Sequence, residues 1–169
     1  MRQFNETRYR KPAVLTAIAL GASLVAVPAA AQYNQKIRND MGKCTSASGP
    51  GLMVTVDGIK TGKGEIRVQS YKATAKDWLQ TGKWLSRIEV PARQGSMTFC
   101  VPVSAPGTYG IAVRHDVNGN GKTDITEDGG AMSNNPSINI FNLGKPSYTK
   151  VGVDVGNSVK SIRIQMKYM

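Results

Sequence analysis

Between His115 and Glu127 (HDVNGNGKTDITE) side-chain oxygens fall at alternate positions, Asp116, Asn118 and Asn120, and then come Gly121, Asp124 and Glu127. With Asp116 counted first, oxygens stand first, third, fifth, ninth and twelfth, and glycine sixth. That is the order of an EF-hand calcium loop. Calcium takes about six to eight oxygens at about 2.3–2.6 Å, and a loop curling around the ion turns every second side chain inward. Gly121 permits the sharp turn. Lys122 offers its carbonyl at the seventh place, and Glu127 can offer two oxygens. The metal-free alternative is a polar turn, since Asn118-Gly119 and Asn120-Gly121 are both hairpin-turn pairs. A turn asks for neither Asp124 nor Glu127, so the spacing favours calcium. No helical pattern flanks the loop, and Thr123 replaces the usual apolar eighth residue. This is therefore not a helix-loop-helix hand, and pairing with a second loop would be weak.

Other chemistry is thinly supported. His115 is the single histidine, which excludes a multi-histidine zinc site. His115 and Asp116 are strand neighbours and face opposite ways, so they do not form a dyad. Ser133 lacks a nucleophile-elbow context. Asp124, Glu127 and Asp128 could serve sugar hydrolysis as a pair, but clustered beside Asp116 they read better as cation ligands. No glycine loop that cradles phosphate precedes a helix. A non-catalytic domain is expected.

The elements that position the loop come from the rest of the chain. Arg2, Arg8, Arg10 and Lys11 precede an uncharged apolar run, Ala13 to Val27, and then Ala29-Ala30-Ala31. This predicts a signal peptide over residues 1–31, whose apolar run of 15 residues is too short to span a bilayer as a helix, which needs about 20. The protein would then be periplasmic or secreted, with no transmembrane segment after cleavage. Residues 32–50 read as a loose polar arm. Cys44 and Cys100 are the two cysteines, and in an exported chain they predict one disulfide.

From Gly51 the pattern has period two, as in half-buried strands. Leu52, Val54 and Val56 alternate with Met53, Thr55 and Asp57. Ile66 and Val68 share one face, as do Met97, Phe99 and Val101, and Tyr109, Ile111 and Val113. Thr74 to Gln80 is read as a short helix capped by Thr74. Trp78 and Trp84 flank a turn and are expected to cover one end of the core. Asp128 to Ser147 reads as a long connection. Tyr148 to Val155 and Val159 to Tyr168 are expected as two strands joined at Gly156-Asn157. The sum is an all-β domain over 51–169: an antiparallel sandwich of about seven strands, immunoglobulin-like or transthyretin-like. Pro106-Gly107-Thr108-Tyr109 suggests a tyrosine corner.

The chain carries 22 Lys+Arg against 11 Asp+Glu, a formal charge of +11. The cations are scattered, without clustered arginines or interleaved aromatics, which argues against nucleic acid. An anionic envelope polymer or glycan is the partner class that such a field would attract.

Pro106-Gly107-Thr108-Tyr109, the run His115 to Asp124, Ser133-Asn134-Asn135, Lys145-Pro146-Ser147-Tyr148 and the closing Lys167-Tyr168 occur in one order. In that order the chain from Gly51 onward resembles an uncharacterised exported bacterial family, the domain of unknown function numbered 2141. It departs from that family at Asp128 to Met132, where members carry Gly-x-Pro-x-Glu. The resemblance implies a compact exported β-domain and no assigned reaction. Three functions stay open: a calcium-stabilised binding or structural module, a calcium-dependent hydrolase using the loop acids, and a cell-surface adhesion or accessory subunit.

Overall fold

The computed structural model of the chain describes residues 33–138 and 144–169, so the expected signal peptide lies outside the described residues. The strands are β1 (Gln35–Lys36), β2 (Gly51–Ile59), β3 (Glu65–Lys72), β4 (Ser86–Pro91), β5 (Gly95–Pro102), β6 (Gly107–Asp116), β7 (Gly129–Met132), β8 (Val153–Val155), β9 (Val159–Gln165) and β10 (Lys167–Tyr168). A single helical turn, α1, covers Tyr148–Val151, and a 3-10 turn covers Met41–Cys44. Seven strands form one sheet in the order β1-β4-β3-β6-β7-β10, with β8 beside β6. Three form a second sheet, β5-β2-β9.

Alternation along the strands builds one core from both sheets. Leu52, Val54 and Val56 of β2, Phe99 and Val101 of β5, and Ile164 of β9 come from the small sheet. Ile66, Val68, Ile88, Tyr109 and Ile111 come from the large one. The opposite face of the large sheet carries a second, smaller cluster: Tyr71, Trp78, Met132 and Val151. Trp78 packs so closely there that a Cβ at Gly110 would meet its ring at 2.6 Å.

The sheets are mixed, which corrects the expectation of a wholly antiparallel sandwich. β1 runs parallel to β4, and β9 runs parallel to β2. The Gly156-Asn157 turn does not close a hairpin. It carries the chain from β8 in the large sheet to β9 in the small one, so no hairpin fixes the direction of β9. The last expected strand is also divided. β9 lies in one sheet, Met166 turns into the core, and β10 joins the other.

Three further local expectations change. The arm is not loose: Asn34, Gln35 and Ile37 donate backbone bonds to Trp84, Leu85 and Arg87, and Asn39 bonds the Thr98 carbonyl and the Cys100 amide. The segment after Thr74 makes turns rather than a helix. Thr74 accepts from Asp77 and Trp78, and then Leu79 enters the left-handed region at φ 54° and reverses the chain. Tyr148 to Val151 is helical because Ser147 caps it, its hydroxyl accepting from the Thr149 amide.

Candidate cation loop

β6 places His115 in the core and Asp116 toward the opposite face, as strand alternation requires. The loop from Val117 to Asp128 then folds on itself. Asn118 Oδ1 accepts from the Asn120 amide at 3.0 Å, and Asn120 Oδ1 accepts from the Lys122 amide at 2.7 Å. These are two successive Asx turns. Gly119 and Gly121 sit between them at φ 70° and 77°, where a side chain is strained.

The two buried acids anchor the ends. Asp116 Oδ2 accepts from the Gly121 amide at 2.9 Å and from Arg114 Nη2 at 2.9 Å. Arg114 also donates to the Gly121 carbonyl and the Thr123 hydroxyl, so a strand-borne guanidinium lies under the first half of the loop. Asp128 closes the other half. Its two oxygens accept from the Val117 and Asp124 amides, each at 3.0 Å.

Between the anchors the other expected ligands converge. Asn118 Nδ2 lies 3.0 Å from Asp124 Oδ2 and 3.0 Å from Glu127 Oε2. Asn120 Nδ2 donates to the same Asp124 oxygen at 2.6 Å. The Asn118 amide, then the Asn120 amide, hold the Asp124 carboxyl below its ordinary range, with Lys122 and Arg114 adding to the effect. Of the six expected ligands, Asn118, Asn120, Asp124 and Glu127 therefore share one cluster. Asp116 is held by Arg114. Lys122 enters through its amide.

Among the described residues, two buried polar atoms in this region have no hydrogen-bond partner: Asp116 Oδ1 and Arg114 Nε. A buried acceptor left unmet costs about 1–3 kcal/mol. Among the described residues, no three His, Cys, Asp or Glu side chains form a group that could hold a metal. The donor set is two carboxylates with amide and backbone oxygens, which suits a hard cation and not zinc.

The sequence does not single out Arg114, and Asp128, a candidate hydrolytic acid or cation ligand by sequence, is instead a backbone anchor of the loop. Arg114 stands two residues before Asp116 on the same strand face, and that parity was the available signal. Ser133 is a clamp: fully buried, it accepts from the Ile111 amide and donates to the Val151 carbonyl at 2.6 Å. Trp78 is likewise occupied, its Nε1 donating to the Pro146 carbonyl at 2.8 Å, while Arg87 stacks on Trp84 at 4.3 Å. Cys44 and Cys100 are joined, which fixes the 3-10 turn to β5.

A family model described as "Uncharacterized protein conserved in bacteria (DUF2141)" matches residues 54–163. No curated protein and no solved structure matches the chain.

Proposed function

The chain belongs to the DUF2141 family, and on that premise we propose that it is an exported, non-catalytic β-module whose Asp116–Glu127 loop binds one calcium ion. One observation carries the reading: the carboxylates of the ninth and twelfth loop positions, Asp124 and Glu127, meet at the Asn118 amide nitrogen, 3.0 Å from each. A cation at that point finds both carboxylates in place. Asn118 and Asn120 would turn their amide oxygens inward where their nitrogens now stand. Asp116 Oδ1, buried and unpartnered, supplies a further acceptor. Few carboxylates and no paired loop argue for modest affinity, in the range of extracellular modules, about 10⁻⁴–10⁻³ M.

Export is supported by the Cys44–Cys100 disulfide, since such bonds persist in oxidising compartments. Among the described residues no helix is long and apolar enough to cross a membrane. An immunoglobulin-like or transthyretin-like arrangement is our finer reading of the fold. It is supported by the core shared between two sheets and by Tyr109, whose hydroxyl donates to the Ala105 carbonyl four residues upstream.

The test is calorimetry with calcium chloride, together with thermal unfolding in chelator and in millimolar calcium. Heat of binding and a raised midpoint are expected, with a smaller response to magnesium because it demands a tighter octahedron. Superimposable unfolding curves with no heat would reduce the loop to a turn.

A further inference from the structure

Asn118-Gly119 and Asn120-Gly121 are the two Asn-Gly pairs of the chain, and all four residues are exposed in the loop after β6. An asparagine before glycine carries its own leaving group. The backbone nitrogen that follows can attack the side-chain carbonyl carbon, and glycine leaves that approach open because it has no Cβ. A Cβ on Gly119 or on Gly121 would meet none of the described residues within 4 Å, so solvent reaches both pairs.

The loop prepares the two side-chain carbonyls alike. Asn118 Oδ1 faces the Asn120 amide at 3.0 Å and Asn120 Oδ1 faces the Lys122 amide at 2.7 Å, so the oxyanion formed on attack already has a donor. Each departing nitrogen faces carboxylate oxygen, Asn118 Nδ2 at Asp124 and Glu127 and Asn120 Nδ2 at Asp124, which favours the protonated leaving group. The attacking nitrogens differ. The Gly121 N–H donates to Asp116 Oδ2 at 2.9 Å, and that carboxylate is 5% exposed and held by Arg114. A carboxylate at an N–H stabilises the protonated amide, whereas the deprotonated nitrogen is the one that attacks. Among the described residues the Gly119 N–H has no hydrogen-bond partner.

We propose that Asn118 is a site of spontaneous deamidation and that Asp116 shields Asn120 from the same reaction. A solvent base takes the Gly119 amide proton and the nitrogen bonds Cγ of Asn118. The bond from Cγ to Nδ2 then breaks, and ammonia leaves with a proton returned from solvent. Water opens the resulting succinimide at either carbonyl, which gives aspartate or isoaspartate at position 118. In sum water enters and ammonia leaves, with no change of oxidation state. The product lacks the Nδ2 donor that holds Asp124 and Glu127, and it sets a further carboxylate beside them. The loop thereby loses closing contacts and gains negative charge as the protein ages. The proposal does not rest on calcium binding.

The experiment incubates the full chain in chelator and mildly alkaline buffer, both folded and in urea. Peptide mapping by mass spectrometry follows the exchange of amide nitrogen for oxygen at each position. In the folded chain position 118 should convert at least about tenfold faster than position 120. In urea the contact between Gly121 and Asp116 is gone, and the two pairs should convert at comparable rates. Equal rates in the folded chain, faster conversion at position 120, or no conversion at position 118 until the chain unfolds would overturn the proposal. A preference for position 118 that persists undiminished in urea would assign the selectivity to local sequence and overturn the shielding by Asp116.

Discussion

His115 Nδ1 lies 2.7 Å from the Tyr168 hydroxyl, so the buried end of β6 holds the last strand of the chain. The bond directions follow from the neighbours. The Lys63 carbonyl can only accept, so His115 Nε2, 2.8 Å away, carries the proton. In the neutral imidazole Nδ1 is then the acceptor and Tyr168 the donor. The Tyr168 oxygen in turn accepts from the Lys60 amide at 3.0 Å. One relay ties the β2–β3 loop, β6 and β10 together.

Tyr168→Phe should therefore destabilise the fold by about 1–3 kcal/mol, the usual cost of leaving buried groups unmet. Urea unfolding measures that loss. Nitrogen NMR of wild-type His115 should place a proton on Nε2, facing the Lys63 carbonyl, and a proton found only on Nδ1 would reverse the relay.

Tyr109 offers a comparable test at the other end of β6. Its hydroxyl donates to the Ala105 carbonyl at 2.7 Å and accepts from Lys72 Nζ at 2.8 Å. The ring is fully buried. Tyr109→Phe keeps the ring and removes both bonds, with an expected loss of about 1–3 kcal/mol. Unchanged stability would mean that only the ring matters.

The Cys44–Cys100 bond spans 56 residues of sequence. Chain entropy assigns such a loop about 4 kcal/mol. Thiol labelling under denaturing, non-reducing conditions should find no free thiol, and reduction should lower the denaturant midpoint accordingly. Two labelled cysteines before reduction would refute the pairing in the isolated protein.

Asp124 is held below the ordinary carboxylate range by the Asn118 amide and then the Asn120 amide. A carboxyl depressed on folding stabilises the fold above its unfolded pKa, about 3.9. The stabilisation is lost as pH falls through the lower, folded value. Asn118→Ala should move the Asp124 midpoint upward in an NMR titration, and an unmoved midpoint would assign the depression to other neighbours.

Much of the architecture was legible because half-buried strands alternate. The parity of Leu52, Val54 and Val56, or of Tyr109, Ile111 and Val113, is a direct record of which face is covered. The cysteine pair was legible because few arrangements of two cysteines exist in an exported chain. Strand direction was not legible. Periodicity carries no sign, so the parallel seams β1–β4 and β2–β9 leave no trace in composition. β7 was hidden for a different reason: Gly129-Gly130 spells a turn, yet Gly129 is glycine because the Tyr168 ring occupies its side-chain space. In the loop, the oxygen spacing identified the residues that converge on Asp124. It could not show that a guanidinium from the preceding strand was already bound to Asp116.

That guanidinium sets up the sharpest test of the calcium reading. Arg114 and Asp116 form an ion pair at 2.9 Å whose side chains are 16% and 5% exposed. Breaking such a pair by removing one partner costs about 3–5 kcal/mol, because the other charge stays buried and unpaired. Arg114→Met should therefore be markedly destabilised in chelator. It also strips from the loop the positive charge that competes with an incoming cation for Asp116. If the loop takes calcium, the ion should bind the variant more tightly than wild type and restore part of the lost stability. The increment in thermal midpoint between chelator and millimolar calcium should then be larger for Arg114→Met. Potassium chloride at matched ionic strength controls for screening, which acts on exposed charges far more than on this pair. If the increment is no larger than that of wild type, Asp116 is not a ligand, and the ion pair with Arg114 is the whole of its role.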